Sequence, residues 1–174
     1  MRFAAFAAVF LILPACSRQP GYYTPQADRP AARALGPGEL SHFTAMDGPA
    51  AANHLVSGVL QTDGAPWRWC ERRAELRFQL PDTRGLRFRT EIAVSEMTFK
   101  QTGPVRIDVS INGKPLGAVV YGKPENRTAE FEVPPDMVTA ARPVAVTLTA
   151  DKEWVEPGTG VRRAFILTSA GFVQ

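Results

Sequence analysis

From about Ser41 onward, hydrophobic and polar residues alternate in short runs. Ala74, Leu76, Phe78 and Leu80 alternate with Glu75, Arg77 and Gln79. Leu86, Phe88, Thr90, Ile92 and Val94 then alternate with Arg87, Arg89, Glu91 and Ala93, and Val105, Ile107, Val109 and Ile111 with Arg106, Asp108 and Ser110. Shorter apolar sets follow at Phe131 and Val133, at Val144, Val146 and Leu148, and from Ala164 to Leu167. A period of two places every second side chain on the same face, so each run predicts a half-buried strand. The breaks carry turn chemistry. Pro81-Asp82-Thr83-Arg84-Gly85 predicts a hairpin joining residues 74–80 to 86–94, and Asn112-Gly113 is a strong two-residue hairpin signal because both residues tolerate positive φ. Pro134-Pro135-Asp136 and Arg142-Pro143 interrupt the later runs. No segment of helical length shows a 3.6-residue apolar stripe with caps. Antiparallel strands with one polar face must bury the other against a second sheet, so residues 41–174 predict an all-β, antiparallel β-sandwich.

The chain ahead of this domain has a different pattern. Arg2 precedes an apolar run, Phe3 to Leu13, which ends in Leu13-Pro14-Ala15-Cys16. The run is too short to cross a hydrocarbon core, which takes about 20 helical residues. It resembles a bacterial lipoprotein signal peptide whose lipobox ends in cysteine. Pro14 departs from the commoner small residue or serine at its position. The resemblance implies removal of residues 1–15, lipid attachment at Cys16 and a partner in the membrane itself. A diacylglyceryl thioether with an N-acyl group suffices for stable anchoring, whereas one chain binds only marginally. Ser17, in place of the aspartate that retains such proteins in the inner membrane, implies the outer membrane of the bacterial cell envelope. Residues 16–40 carry Pro20, Pro25, Pro30 and Pro37 among Gly21, Gly36 and Gly38, the composition of an extended tether.

Charge and cysteine content narrow the partners. The net charge is only +3, a mild balance that argues against a nucleic-acid binder, which shows a concentrated basic footprint. The two cysteines are Cys16 and Cys70. With Cys16 lipidated, Cys70 has no disulfide partner and is expected to be buried and inert. In the expected first hairpin Arg77 lies near Arg89, with Glu75 and Glu91 diagonal to them. That predicts a solvated polar face with modest ion pairs rather than a polyanion site extended by Arg72, Arg73, Arg84 and Arg87.

The order of features from Gly58 to Phe172 carries a further resemblance. Gly58-Val59-Leu60 and Trp67-Arg68-Trp69 lead into Arg73-Ala74-Glu75-Leu76-Arg77-Phe78. Val109-Ser110-Ile111-Asn112-Gly113-Lys114-Pro115-Leu116 sits centrally, followed by Phe131-Glu132-Val133-Pro134, Arg162-Arg163-Ala164-Phe165-Ile166-Leu167 and Gly171-Phe172. This resembles galactose-binding-domain-like jelly rolls, among them carbohydrate-binding-module-like domains. It implies a jelly-roll sandwich, and by fold analogy a structural calcium, although Asp47-Gly48 and Asp63-Gly64 lack the series of oxygen ligands calcium needs. No other cofactor is implied.

Sugar recognition has a physical basis in these residues. Apolar C–H faces stack on aromatic rings, while hydroxyls need charged or amide partners. Trp67, Trp69 and Trp154 supply rings in or beside predicted loops, and Arg72 and Arg162 supply charge nearby. The alternative is that the rings plug the sandwich ends, which suits Trp69 best. No Gly-x-Ser-x-Gly, His-Glu-x-x-His or Cys-x-x-Cys motif is present, and nothing pairs Glu71, Asp151 and Glu153 as a glycosidase would need. The expected function is a membrane-anchored, non-catalytic binding module for glycans or other envelope components. Its rival is a structural or interaction subunit that contacts an envelope protein and binds no sugar.

Overall fold

The computed structural model describes residues 35–61 and 65–174. The lipobox, Cys16 and most of the expected tether lie outside the described residues, as do Asp63 and Gly64. The folded unit runs from Ala34 to Gln174. Its elements are β1 (Phe43–Ala45), α1 (Ala51–His54), β2 (Leu55–Val59), β3 (Arg68–Phe78), β4 (Arg87–Val94), α2 (Glu96–Thr102), β5 (Val105–Ile111), β6 (Lys114–Tyr121), β7 (Glu125–Glu132), β8 (Val144–Ala150), β9 (Trp154–Val155), β10 (Arg162–Arg163) and β11 (Phe165–Val173).

The main ladder runs β6-β5-β8-β3-β11-β4-β7, with β2 added to β3 and β1 to β11. Every strand pair is antiparallel. The fold turns on β3. Its residues Arg73 to Phe78 pair with β8, while Arg68 to Cys70 pair with β11. One strand thereby passes from a β6-β5-β8-β3-β2 layer to a β7-β4-β11-β1 layer, giving an antiparallel β-sandwich of jelly-roll type. Between the layers lies one continuous core that includes Leu76, Phe78, Phe88, Ile92, Ile107, Ile111, Leu148, Phe165 and Phe172. The Tyr121 hydroxyl of β6 donates to the Ile92 carbonyl of β4 at 2.7 Å, tying one layer to the other. At the same side the Phe131 ring of β7 lies against Gly117 of β6.

The alternating runs fall in or beside strands, and their apolar sets are buried apart from Phe131 and Ile166, which are half-buried. The hairpin expected between residues 74–80 and 86–94 is not formed. β3 takes β8, β11 and β2 as neighbours, and β4 takes β11 and β7. The Pro81–Gly85 segment does turn: the Asp82 carboxylate accepts from the backbone N–H groups of Thr83 at 2.6 Å and Arg84 at 3.1 Å. That turn carries the chain from one layer to the other, with Leu80 and Leu86 buried on either side of it. Arg77 is therefore paired with Ala145 of β8 and Arg89 with Gly171 of β11 rather than with each other, and Glu130 of β7 pairs with Arg87 at 2.9 Å and Arg89 at 3.6 Å.

A second difference is α2, where no helix was expected. Ser95 caps it, its Oγ accepting from Thr98 N at 3.1 Å, and Gly103 closes it with a bond to Phe99 O at 2.7 Å. Seven residues are too few to display a repeating apolar stripe. Asn112-Gly113 makes the expected β5–β6 turn, with φ of 49° and 80°. Cys70 is fully buried, and its thiol is pushed up first by desolvation and then by the Glu71 charge, which suppresses the reactive thiolate.

Residues 36–41 are fastened to the sandwich through α1. Asn53 Nδ2 donates to Gly36 O at 2.9 Å and Glu39 O at 3.0 Å. Buried His54 sits on the Arg77 carbonyl through Nδ1 at 2.8 Å and meets Ser41 Oγ through Nε2 at 3.1 Å. A carbonyl only accepts, so Nδ1 carries a proton. Burial lowers the His54 pKa from 6.5, and the bond to Arg77 offsets this only in part. The neutral ring therefore contributes stability that is complete above pH 6.5 and is lost as pH falls through the lowered folded value. Urea midpoints measured from pH 7.5 to 5 are expected to drop below pH 6.5. A His54→Gln protein should show a flat profile in the same window, above the range where most carboxylates titrate.

Candidate functional site

Trp69 and Cys70 are neighbours on β3 and so point to opposite faces of the sheet. Cys70 enters the core opposite Phe165, while Trp69 pairs with Ile166 on the outer face. Trp69 is nonetheless only 8% exposed. The Arg163 guanidinium covers its ring at 5.1 Å from the centroid, a cation–π arrangement. The Trp67 ring approaches at 6.0 Å and 85°, edge to face. Trp67 itself is half-buried. Leu60, Gln61, Trp67, Trp69, Val161 and Arg163 enclose an open depression of about 520 Å³. That is ligand-sized, and its mixture of apolar surface with a few polar groups is what small-molecule sites share.

The polar groups around it are partly committed. Arg163 Nη2 donates to Glu156 Oε2 at 3.0 Å, and the same oxygen accepts from Thr159 Oγ1 at 2.8 Å. Gln61 Oε1 accepts from Arg68 Nη1 at 3.3 Å. Leu60 is held at the rim by its backbone bond to Trp69 O at 2.8 Å.

The other expected site residues lie elsewhere. Trp154 is inside β9 rather than in a loop, directly opposite Arg163 in register. It lines a second, shallower depression with Ser95, Glu96, Met97, Lys100 and Gln101 on and beside α2. Arg72 and Arg162 meet on Glu153. Arg162 Nη1 bonds Glu153 Oε1, while Arg72 N donates to Glu153 Oε2 at 3.3 Å and Arg72 Nε to Ala150 O at 3.3 Å. These contacts fasten the β9–β10 hairpin to the sandwich, helped by Lys152 Nζ, which donates to Thr102 O and Pro104 O behind α2. The structure thus brings Trp67 and Trp69 together and brings Arg72 and Arg162 together, but in separate places. Arg163 is the depression's cation, and sequence reasoning passed over it for its neighbour Arg162. Alternation along β10 was the available signal: Arg162 is exposed and Arg163 is half-buried.

Glu153 and Glu156 hold arginines of the hairpin, and Asp151 Oδ1 accepts from Arg106 N at 2.8 Å. These carboxylates brace the structure around the tryptophans. Among the described residues no three His, Cys, Asp or Glu side chains converge on one point.

No protein-family model and no curated protein matches the chain. Among solved structures it is similar to the CBM36-1 domain of a multidomain xylanase from the hindgut metagenome of Trinervitermes trinervoides. That match has 12% identity and a TM-score of 0.39, covering 68% of this chain and 87% of that one. It is also similar to BtGH115A, a family GH115 4-O-methyl-alpha-glucuronidase with specificity for decorated arabinogalactans (14% identity, TM-score 0.38, 85% of this chain and 18% of that one). A third similarity is to the M60 catalytic domain with the CBM51-1 and CBM51-2 domains from Clostridium perfringens ZmpB (13% identity, TM-score 0.37, 80% and 14%). The chain spans less than a fifth of the latter two. The fold assignment above rests on this chain's own strand pairing.

Proposed function

We propose that this protein is a lipid-anchored, non-catalytic module that binds glycans or other cell-envelope components in the Trp67–Trp69 depression. The observation that carries the reading is the half-buried Trp67 ring, set edge-on to Trp69 at the wall of an open, ligand-sized depression. A ring in that position offers an apolar face to the C–H face of a sugar, while Gln61 and Arg163 offer polar partners for its substituents. Trp69, covered by Arg163, supports Trp67 from behind.

The anchor rests on the lipobox ending at Cys16, and the outer membrane on Ser17. The rival reading, an interaction subunit that binds no sugar, draws support from Met97, 43% exposed beside Trp154. A glycan array and a peptidoglycan pull-down separate the two. Wild type is expected to bind, and Trp67→Ala to weaken binding at least tenfold, about 1.4 kcal/mol. Trp154→Ala should leave it within about twofold. An array silent for wild type would favour the interaction reading. Mass spectrometry of the membrane fraction is expected to show a mature chain beginning at acylated Cys16, and Cys16→Ser should release the protein from membranes. A soluble, unacylated mature chain would remove the anchor from the proposal.

A further inference from the structure

The sheet face that carries Trp69 continues past it, on the side away from β2. Leu60 N donates to Trp69 O, Trp69 pairs with Ile166, Ile166 with Ala93, and Ala93 with Asn126. One cross-strand row therefore leads from the rim of the depression to β7. Partners in such a row share a face of the sheet, with Cβ atoms about 4.5–5.5 Å apart. Ile166 and Ala93 are half-buried on that outer face, and Asn126 is exposed. The adjacent row is polar: Ser169 pairs with Glu91, and Glu91 with Thr128. Asn126 Nδ2 donates to Glu91 Oε1 at 2.6 Å and joins the two rows at their β7 end. The helices pack elsewhere, α1 against β1 and β3 and α2 against β9.

The outer face thus carries an apolar strip bordered by hydroxyl, carboxylate and amide groups. Arg163 covers the Trp69 ring, so the apolar surface open to a ligand comes from Trp67 at one end and from Ile166 and Ala93 further on. From Trp69 to Asn126 the row crosses three inter-strand spacings, about 14 Å, which is longer than one pyranose ring. A chain of sugars laid across the strands sets its C–H faces on the strip and its hydroxyls against Ser169, Glu91, Thr128 and Asn126. Those side chains supply donors and acceptors together, as a sugar hydroxyl requires. We infer that the depression is one end of an extended site whose ligand is a linear oligosaccharide. Its first ring meets Trp67, and the following rings cross Ile166 and Ala93 towards Asn126. This rests on the glycan reading above and adds the length of the ligand to it.

The probes are length series of chito-, cello-, xylo- and manno-oligosaccharides, together with peptidoglycan strands freed of their peptides and sorted by length. Each is titrated into the full-length chain by tryptophan fluorescence and calorimetry. Within a series that binds, affinity is expected to rise about tenfold from the shortest member to the longest and to level off once the row is filled. Asn126→Ala and Glu91→Ala should each weaken the long members about three- to tenfold, the worth of one hydrogen bond, and leave the shortest unchanged. Ala93→Arg, which lays a long side chain across the strip, should reduce the long members to the affinity of the shortest. Thermal melts of the three variants show whether the sheet is intact, and any one that stays folded is informative without the others. Affinity independent of length, or folded variants that bind the long members as wild type does, overturns this inference and leaves the glycan reading intact. Silence from every series and from the glycan array overturns both.

Discussion

Phe172→Ala is expected to lower the unfolding free energy by roughly 3–5 kcal/mol, a large part of the stability of a domain this size. Phe172 is fully buried in β11. Its ring meets Phe78 of β3 edge-on at 5.7 Å and Phe88 of β4 at 5.5 Å. Phe88 belongs to the same layer as Phe172 and Phe78 to the facing one, so the truncation removes a ring that spans the sandwich. The loss combines the transfer free energy of the ring, the cavity left behind and two aromatic contacts. Neighbouring backbone has little freedom to collapse, because Phe172 N is bonded to His42 O and its strand is paired on both sides. Urea denaturation should show a lower midpoint at unchanged slope. Val120→Ala provides the control: at 53% exposed, Val120 should cost no more than about 0.5 kcal/mol. A Phe172→Ala cost of similar size would mean that the two layers are not joined through this ring.

What the sequence made legible follows from the range of the forces involved. Alternation reports which face of a strand is buried, and Ala74, Leu76, Phe78 and the other apolar sets were readable for that reason. It does not report which strand lies alongside. β3 pairs with segments around residues 55–59, 144–150 and 165–167, and no local pattern encodes that choice. The Pro81–Gly85 segment was readable as a turn because the Asp82 side chain bonds its own neighbours, a local interaction. Its role as a crossing between layers depends on where β4 docks, and β4 docks on the C-terminal strand.

The site divides in the same way. The tryptophans stood out by residue type. Their grouping did not, since it depends on the β9–β10 hairpin folding back so that Arg163 covers Trp69 while Trp154 turns to α2. Arg72 and Arg162 looked equally suited to a ligand until the structure placed Glu153 between them. Residue type thus gave candidate chemistry, and long-range pairing decided which groups were already spent.

Gly58→Ala should cost roughly 2–5 kcal/mol and should also weaken ligand binding, although Gly58 does not line the depression. Gly58 has φ of +67°, where an L side chain is strained, and a Cβ there would stand 1.8 Å from the carbonyl oxygen of Arg73. That oxygen cannot retreat easily, because Arg73 is paired with Thr149 of β8 on its other side. Backbone strain of about 1–2 kcal/mol and forced displacement of about 1–3 kcal/mol therefore add. Relief requires β2 to lift from β3, and β2 leads directly into Leu60 and Gln61, one wall of the depression. Gly113→Ala separates the two contributions. Its φ is +80° but a Cβ would meet nothing within 4 Å, so only the strain of about 1–2 kcal/mol should appear, with binding unchanged. Melting curves and ligand titrations of the pair test the argument. If Gly58→Ala proves no more costly than Gly113→Ala, the close approach of β2 to β3 is not what fixes that wall.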